Sequence, residues 1–385
     1  MHVVVIGSGM IGSSIAYECA KAGAKVTVFD AGNIGGKASA TSFSWTNATS
    51  KNPRSYFALN VAGMRAHIEL RRDFGGSPWL WQTGSLEWRT TQEGQEWQRG
   101  NFQQMSDWGY GVEWLDPRKL AEMEPDLDIG EIGAYPIAYY PEEGWVDPMI
   151  YSAWLLREAG RRHDATIRSH TPITRVETKG SRVEAVHTAG GERIKADYVI
   201  NCTGSQADAD LGVEKVPLAP TVGILAFTPP VATTLRSQLH ADDLNVRPDG
   251  AGRLMIQKAS IEKRFDEAKS LEADGPEAQE LLDVTRKIMP VLEGVRIEAV
   301  RTTYRPMPKD GFPCVGAMPD LANYYVAVTH SGVTLAPYLG KALADEIVVD
   351  RRHKALDPFA PDRFFAEPSS HGASAELLGQ QPVEG

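Results

Sequence analysis

His2-Val3-Val4-Val5-Ile6-Gly7-Ser8-Gly9-Met10-Ile11-Gly12 opens the chain, and Lys25-Val26-Thr27-Val28-Phe29-Asp30 follows soon after. A short β-branched apolar run that meets a glycine cluster reads as a buried parallel strand entering a tight turn. Between the two runs, Ile15, Ala16, Cys19 and Ala20 share one helical face, and Gly23 suits the helix C-terminus. The second run is another buried strand, closed by Asp30. The pattern is a βαβ unit with GxGxxG at its first turn.

In such a turn Gly7 permits the tight bend, Gly9 lets the backbone approach a pyrophosphate, and Gly12 lets helix and strand pack closely. The helix N-terminus offers free N–H groups and a positive dipole end to that anion. Asp30 stands eighteen residues after Gly12, where an acid accepts a hydrogen bond from a ribose hydroxyl and disfavours a 2′-phosphate. A lone GxGxxG is weak, because glycine-rich turns arise by chance. Strand, fingerprint, helix, second strand and terminal acid in that order point to dinucleotide binding.

The chain has 385 residues, more than one ordinary core of on the order of 150, so two domains are expected. With 42% hydrophobic and 23% charged residues it suits a globular protein rather than a disordered one. A net charge of −10 argues against nucleic acid or an anionic membrane as the main partner. Cys19, Cys202 and Cys314 are far apart, odd in number and lack CxxC spacing. That argues against a disulfide framework or a zinc site and fits a cytoplasmic location; no metal is expected. The first strand begins at once after Met1, and no run approaches the ~18 apolar residues of a membrane span. Neither a signal peptide nor an integral membrane segment is expected.

Residues 31–52 are rich in Gly, Ala, Ser, Thr and Asn, with Phe43 and Trp45 embedded. They read as a packed loop that could run back over the nucleotide, or as a plain connector. Asn52-Pro53 starts a helix, with Asn52 as N-cap, that ends at Gly75-Gly76. Residues 77–144 carry many tryptophans and tyrosines in short alternating pieces. They suggest antiparallel strands whose rings form a core or line a substrate cavity. Asp147-Pro148 begins a further helix, and Asp197 to Gly204 is a buried strand running into a turn. Residues 213–260 again look antiparallel, and the tail from Glu367 is expected to be disordered.

Four segments give the chain a familiar order. They are the GxGxxG unit with Asp30, Gly144-Trp145-Val146-Asp147-Pro148, Val199-Ile200-Asn201-Cys202-Thr203-Gly204, and Tyr304-Arg305-Pro306-Met307-Pro308-Lys309-Asp310-Gly311-Phe312-Pro313 with His330-Ser331-Gly332-Val333-Thr334-Leu335-Ala336-Pro337. The chain resembles the FAD-dependent amine and amino-acid oxidases: D-amino-acid oxidase, glycine oxidase and sarcosine oxidase. The resemblance runs from His2 to about Asp350. It implies an α/β fold: a Rossmann-like FAD-binding domain of the glutathione-reductase type, and an α+β substrate domain with a mainly antiparallel sheet. Residues 1–80, 145–212 and 297–365 would form the first, 81–144 and 213–296 the second, and 366–385 a disordered tail.

The resemblance also implies roles. Gly7, Gly9, Met10, Ile11 and Gly12 would hold the pyrophosphate, and Asp30 with Ala31 the adenosine ribose. Ser39, Thr41 and Ser42 match a serine-rich loop near the phosphates, and Val176 a strand residue whose backbone meets the adenine. Thr203-Gly204 matches a turn passing the cofactor, and Gly332-Val333-Thr334 a turn against the flavin ring. A helix beginning near Thr334 would aim its positive end at the flavin and favour reduction. Arg305 matches the arginine that grips a substrate carboxylate, as a planar guanidinium suits, or is a plain ion-pair arginine. His330 replaces a second substrate-side arginine. No cysteine precedes Tyr304, so FAD is expected to be non-covalent; Lys258 is a loose match to an oxygen-activating lysine.

The implied reaction is oxidation of the C–N bond of an amino acid or N-alkyl amino acid by hydride transfer to flavin N5. Water hydrolyses the imine, and oxygen or another acceptor reoxidises the flavin. The alternatives are an amine or hydroxy-acid dehydrogenase feeding a quinone or other carrier, a protein with a purely structural dinucleotide, and an NAD-binding protein without flavin.

Overall fold

The computed structural model describes residues 1–365; the tail 366–385 lies outside them. The opening unit is strand β1 (His2–Ile6), helix α1 (Met10–Lys21) and strand β2 (Lys25–Phe29). Strands β1 and β2 pair in parallel, Val4 opposite Thr27. They sit in a six-stranded sheet ordered 314–318, 321–328, 198–201, β1, β2, 166–168. Every pairing is parallel except that of 314–318 with 321–328.

The near-continuous apolar runs follow from burial on both faces. Val3, Val5, Val26 and Val28 pack into a core with α1 and the helix Gly332–Val348. Val4, Ile6, Phe29 and Val199 face a second core, which Val176, Val183 and Val186 close from a three-stranded sheet over 173–195.

A second large sheet has eight strands, ordered 299–305, 221–227, 254–258, 244–248, 238–241, 85–88, 137–140, 113–115. It is antiparallel except where 238–241 meets 85–88. Its own core joins Leu86, Ile224, Leu239 and Ile256 to Leu281 and Leu282 of the helix Pro276–Ile288. Residues 299–305, grouped in the sequence with the nucleotide-binding segments, pair instead with 221–227 of this sheet. That strand therefore runs from the antiparallel layer toward the nucleotide turn.

Local details adjust several expectations. The helix Arg54–Asp73 takes Pro53, not Asn52, as N-cap, and no side chain caps it. Its end is as expected: Gly75 and Gly76 adopt positive φ and their N–H groups return to the carbonyls of Arg72 and Arg71. Asp147 caps Pro148–His163 by accepting from the N–H groups of Met149 and Ile150. The last long helix starts at Gly332, two residues before Thr334. The aromatics of 77–144 do not wall the cavity described below: Trp79 and Trp88 are buried in cores, Trp81 stacks on Trp145, and Trp97 and Trp114 are exposed. Cys19, Cys202 and Cys314 are buried free thiols whose pKa values burial pushes up.

Candidate active site

One cavity of about 510 Å³ takes in both the glycine turn and the end of the 299–305 strand. At the turn, Gly7 has φ +102° and passes under the next strand; a Cβ there would lie 2.5 Å from the Cys202 carbonyl oxygen. A Cβ on Gly12 would lie 2.0 Å from the Gly7 carbonyl oxygen. Gly12 is beneath the turn rather than on the cavity wall, so it shapes the site without facing it. Gly7, Gly9, Met10 and Ile11 are on the wall. The Met10 N–H, at the first turn of α1, donates to Ser39 Oγ at 3.2 Å. A serine hydroxyl thus already meets a helix-end donor that an anion would attract.

Asp30 and Ala31 are on the wall beside the turn. Asp30 accepts from Ser8 N–H (2.8 Å) and Ser8 Oγ (2.6 Å) on one oxygen and from Gly32 N–H (2.8 Å) on the other. The carboxylate is fixed in place and still has acceptor capacity. Ser39, Thr41 and Ser42 are on the wall, as are Thr203 and Gly204. Asn201 Oδ1 accepts from both the N–H and the hydroxyl of Thr203, which sets that turn. Val176 is not on the wall: it is buried, and its N–H donates to the Leu211 carbonyl at 2.7 Å. Ile173, which precedes a register shift in the same strand, and Leu211 are on the wall instead.

Gly332, Val333 and Thr334 bring the helix N-terminus to the wall. The turn is held from outside. Tyr56 and Ser331 hydroxyls meet at 2.5 Å, a His67 ring nitrogen meets the Val333 carbonyl at 2.8 Å, and Thr334 Oγ1 donates to the Trp45 carbonyl. Burial pushes His67 down to about 4, so it is neutral. Free helix-end N–H groups and the dipole therefore face the cavity.

At the far end stand Arg305, His330, Trp45, Lys51, Asn245, Gln257 and Glu262. Arg305 donates to the Val222 carbonyl (3.3 Å) and pairs with Glu262. It is thus both an ion-pair arginine and a cavity arginine. His330 is on the cavity wall and is exposed; the surrounding protein, then the cations Lys51 and Arg305, push its pKa down to about 3. It presents a neutral imidazole. Lys258 is not on the wall: its ammonium is tied to Asp243. It ends its strand pointing away, because side chains alternate faces and Gln257 takes the inward position.

Lys51, Asn245, Gln257 and Glu262 were not marked by the sequence, and Phe43 and Trp45 only as aromatics of a packed loop. Two features carry a signal. Gln257 is a polar residue closing the apolar run Leu254-Met255-Ile256, and it pairs across the sheet with Asn245. Phe43 and Trp45 are large aromatics inside a polar loop, and that loop is pinned: fully buried Arg247 donates to the Phe43 carbonyl at 2.6 Å.

Behind the cavity, Glu143 is fully buried without a cation. It accepts from Trp45 Nε1 (2.8 Å), Tyr110 Oη (2.8 Å) and Thr49 N–H (3.2 Å). Burial still pushes its pKa up to about 7.

The wall fits a dinucleotide with a ring at its other end: crowded glycines and helix-end donors for a pyrophosphate, a fixed acid for a ribose, and a second helix N-terminus for an electron-rich ring. Among the described residues no cluster of His, Cys, Asp or Glu could hold a metal, and no helix is long and apolar enough to cross a membrane.

The chain is similar to known proteins over most of its length. The chain is 27% identical over 355 residues to glycine oxidase of Bacillus licheniformis, covering 90% of this chain and 92% of that protein. It is 26% identical over 379 residues to glycine oxidase of Geobacillus kaustophilus, covering 95% and 97%. The crystal structure of the Geobacillus kaustophilus glycine oxidase superposes with a TM-score of 0.80 at 24% identity, covering 94% of this chain and 98% of that one. L-proline dehydrogenase from P. horikoshii gives a TM-score of 0.83 at 22% identity, covering 94% and 97%. A family model described as FAD dependent oxidoreductase matches residues 2–346, and the chain belongs to that family.

Proposed function

We propose that this FAD-dependent oxidoreductase oxidises the C–N bond of an amino acid or N-alkyl amino acid. The observation that carries the reading is Arg305, a guanidinium on the wall of the same cavity as the nucleotide turn. The likeness to glycine oxidases supports an amino-acid substrate. When bound, FAD supplies the two-electron acceptor that converts the amine to an imine, and oxygen takes the electrons as hydrogen peroxide.

The chain's own groups bind and orient. Backbone N–H groups at Gly9, Met10 and Ile11 would hold the pyrophosphate, Asp30 would hold the ribose, and the 332–334 turn would serve the ring. Arg305 takes the substrate carboxylate and fixes the reacting carbon. Neutral His330 offers a hydrogen bond beside it. Water hydrolyses the imine, so the protein supplies no acyl nucleophile or paired acid and base. FAD is held without a covalent bond: Thr303, not cysteine, precedes Tyr304, and all three thiols are buried with raised pKa values. Segments 1–80, 145–212 and 297–365 act as the FAD-binding unit, with 299–305 crossing to the substrate unit.

The test is an anaerobic titration of the FAD-loaded protein with D-, L- and N-methyl amino acids. One of these classes bleaches the flavin, and readmitted oxygen yields peroxide. A flavin that none of them bleaches refutes the reading. Acid precipitation releases all the flavin. A second reading, a dehydrogenase that passes electrons to a quinone or carrier, draws on one observation: Lys258 is held by Asp243 away from the cavity. Bleaching without peroxide decides for it.

A further inference from the structure

We propose that Glu262 and Arg305 form a receptor for a zwitterionic headgroup, in which Arg305 takes the carboxylate and Glu262 takes the amine N–H. This deepens the reading above and rests on it. Glu262 is 5% exposed and lies on the cavity wall. A carboxylate offers about four acceptor positions. Oε1 accepts from the Ile224 N–H at 2.8 Å and from Arg305 Nη2. Oε2 accepts from Gln257 Nε2 at 2.9 Å. One acceptor position on Oε2 is left, on a residue that lines the cavity.

The donor side is similarly part-filled. Arg305 has five N–H groups and commits one to Val222 and one to Glu262. The rest remain for a ligand. The surrounding amides lock this arrangement. Gln257 Oε1 accepts from Asn245 Nδ2 at 2.8 Å, which turns Gln257 Nε2 toward Glu262. Asn245 Oδ1 in turn meets His240 Nδ1 at 2.6 Å. The pair is neutral as a whole, and each partner lines the cavity with hydrogen-bonding capacity left over. A simple carboxylate meets a half-cancelled cation. An amino acid brings both signs and satisfies both.

The experiment uses two ligands that cannot be oxidised. 2-Aminoisobutyrate is a zwitterion without an α C–H; pivalate is its near-isostere with a methyl in place of the ammonium. Calorimetric titration of the FAD-loaded protein is expected to show 2-aminoisobutyrate binding at least tenfold more tightly than pivalate. In E262Q, 2-aminoisobutyrate weakens roughly tenfold and pivalate tightens roughly tenfold, the size of one charge-assisted hydrogen bond. Equal affinities in the parent chain, no binding of either ligand, or a parallel change of both in E262Q overturns the proposal. Should E262Q fail to hold FAD, E262D is read the same way: opposed shifts support the proposal and parallel shifts overturn it. Because neither ligand reacts, a protein that oxidises no amino acid is distinguished from one whose Glu262 does not recognise the amine.

Discussion

Trp45 lies flat against His240, with ring centroids 3.9 Å apart and planes 24° from parallel. The contact joins the loop that follows the nucleotide strands to the antiparallel sheet. Trp45 is on the cavity wall, and its indole N–H is shared between Ser85 and Glu143. His240 Nε2 is buried without a hydrogen-bond partner, so the ring that backs Trp45 is neutral.

That neutrality makes stability depend on pH. Burial pushes both His240 and His67 down to about 4 from an ordinary 6.5. Between those values the unfolded chain binds protons that the folded chain does not, so stability falls as pH drops from about 6.5 toward 4. Each ring contributes on the order of 3 kcal/mol to that loss. H67Q, which keeps a donor toward the Val333 carbonyl, is expected to flatten the acid side of a melting-temperature profile. An unchanged profile means that ring is not buried and neutral.

Glu143 works in the opposite direction. Its pKa is raised from 4.5 to about 7 in the fold, so the folded chain holds a proton that the unfolded chain gives up. Its contribution is full below about 4.5 and is lost as pH rises through about 7. In E143Q, the loss of thermal stability between mildly acidic and mildly alkaline pH should shrink. The variant should also melt lower than the parent at every pH, because the amide N–H₂ replaces one carboxylate oxygen and faces either the Trp45 donor or the Tyr110 and Thr49 donors.

Removing Arg305 should be felt twice. R305A is expected to raise KM for a carboxylated substrate roughly 10- to 100-fold. It also leaves Glu262 as an uncompensated buried charge, costing about 3–5 kcal/mol of stability. The double variant R305A/E262A should recover much of the melting temperature and none of the KM. Unaltered steady-state kinetics in R305A would remove it from the site.

The two lysines should separate. Lys51 is on the cavity wall and its ammonium lies 5.7 Å from the Tyr56 ring centroid, whereas Lys258 is off the wall and paired with Asp243. A cation stabilises the negative charge that develops on oxygen as it is reduced. Stopped-flow reoxidation of the reduced protein should slow by about tenfold or more in K51M. It should stay within about twofold of the parent in K258M. The reverse pattern would restore Lys258 to the oxygen-side role.

Gly12 tests the cradle. G12A places a methyl where the Gly7 carbonyl oxygen already sits, 2.0 Å away, and both atoms are backbone-anchored. The purified variant should carry less than about a tenth of the FAD per chain of the parent, or fail to fold. A fully loaded yellow G12A protein would refute the tight-turn reading.

The nucleotide half was legible in the residues because it rests on local rules. A βαβ unit is contiguous, and strand burial and glycine crowding act over a few residues, so Gly7 to Asp30 carry their meaning in their order. Helix caps such as Asp147 are equally local, although Pro53 displaced Asn52 at one of them. The other half of the site depends on strands far apart in sequence. Glu262 pairs with Arg305, and Gln257 and Asn245 join it in a chain of hydrogen bonds, only because 221–227 lies between 299–305 and 254–258 in one sheet. The choice between Gln257 and Lys258 as the inward residue turned on strand register, which a single step reverses. Val176 is off the cavity wall while Ile173 is on it, because Val176 packs into the core and its N–H is bonded to the Leu211 carbonyl, a matter of tertiary placement rather than of composition. Arg305 itself was marked in advance, but its carboxylate partner was not, because an ion pair across 43 residues is set by packing and leaves no periodic trace in the chain.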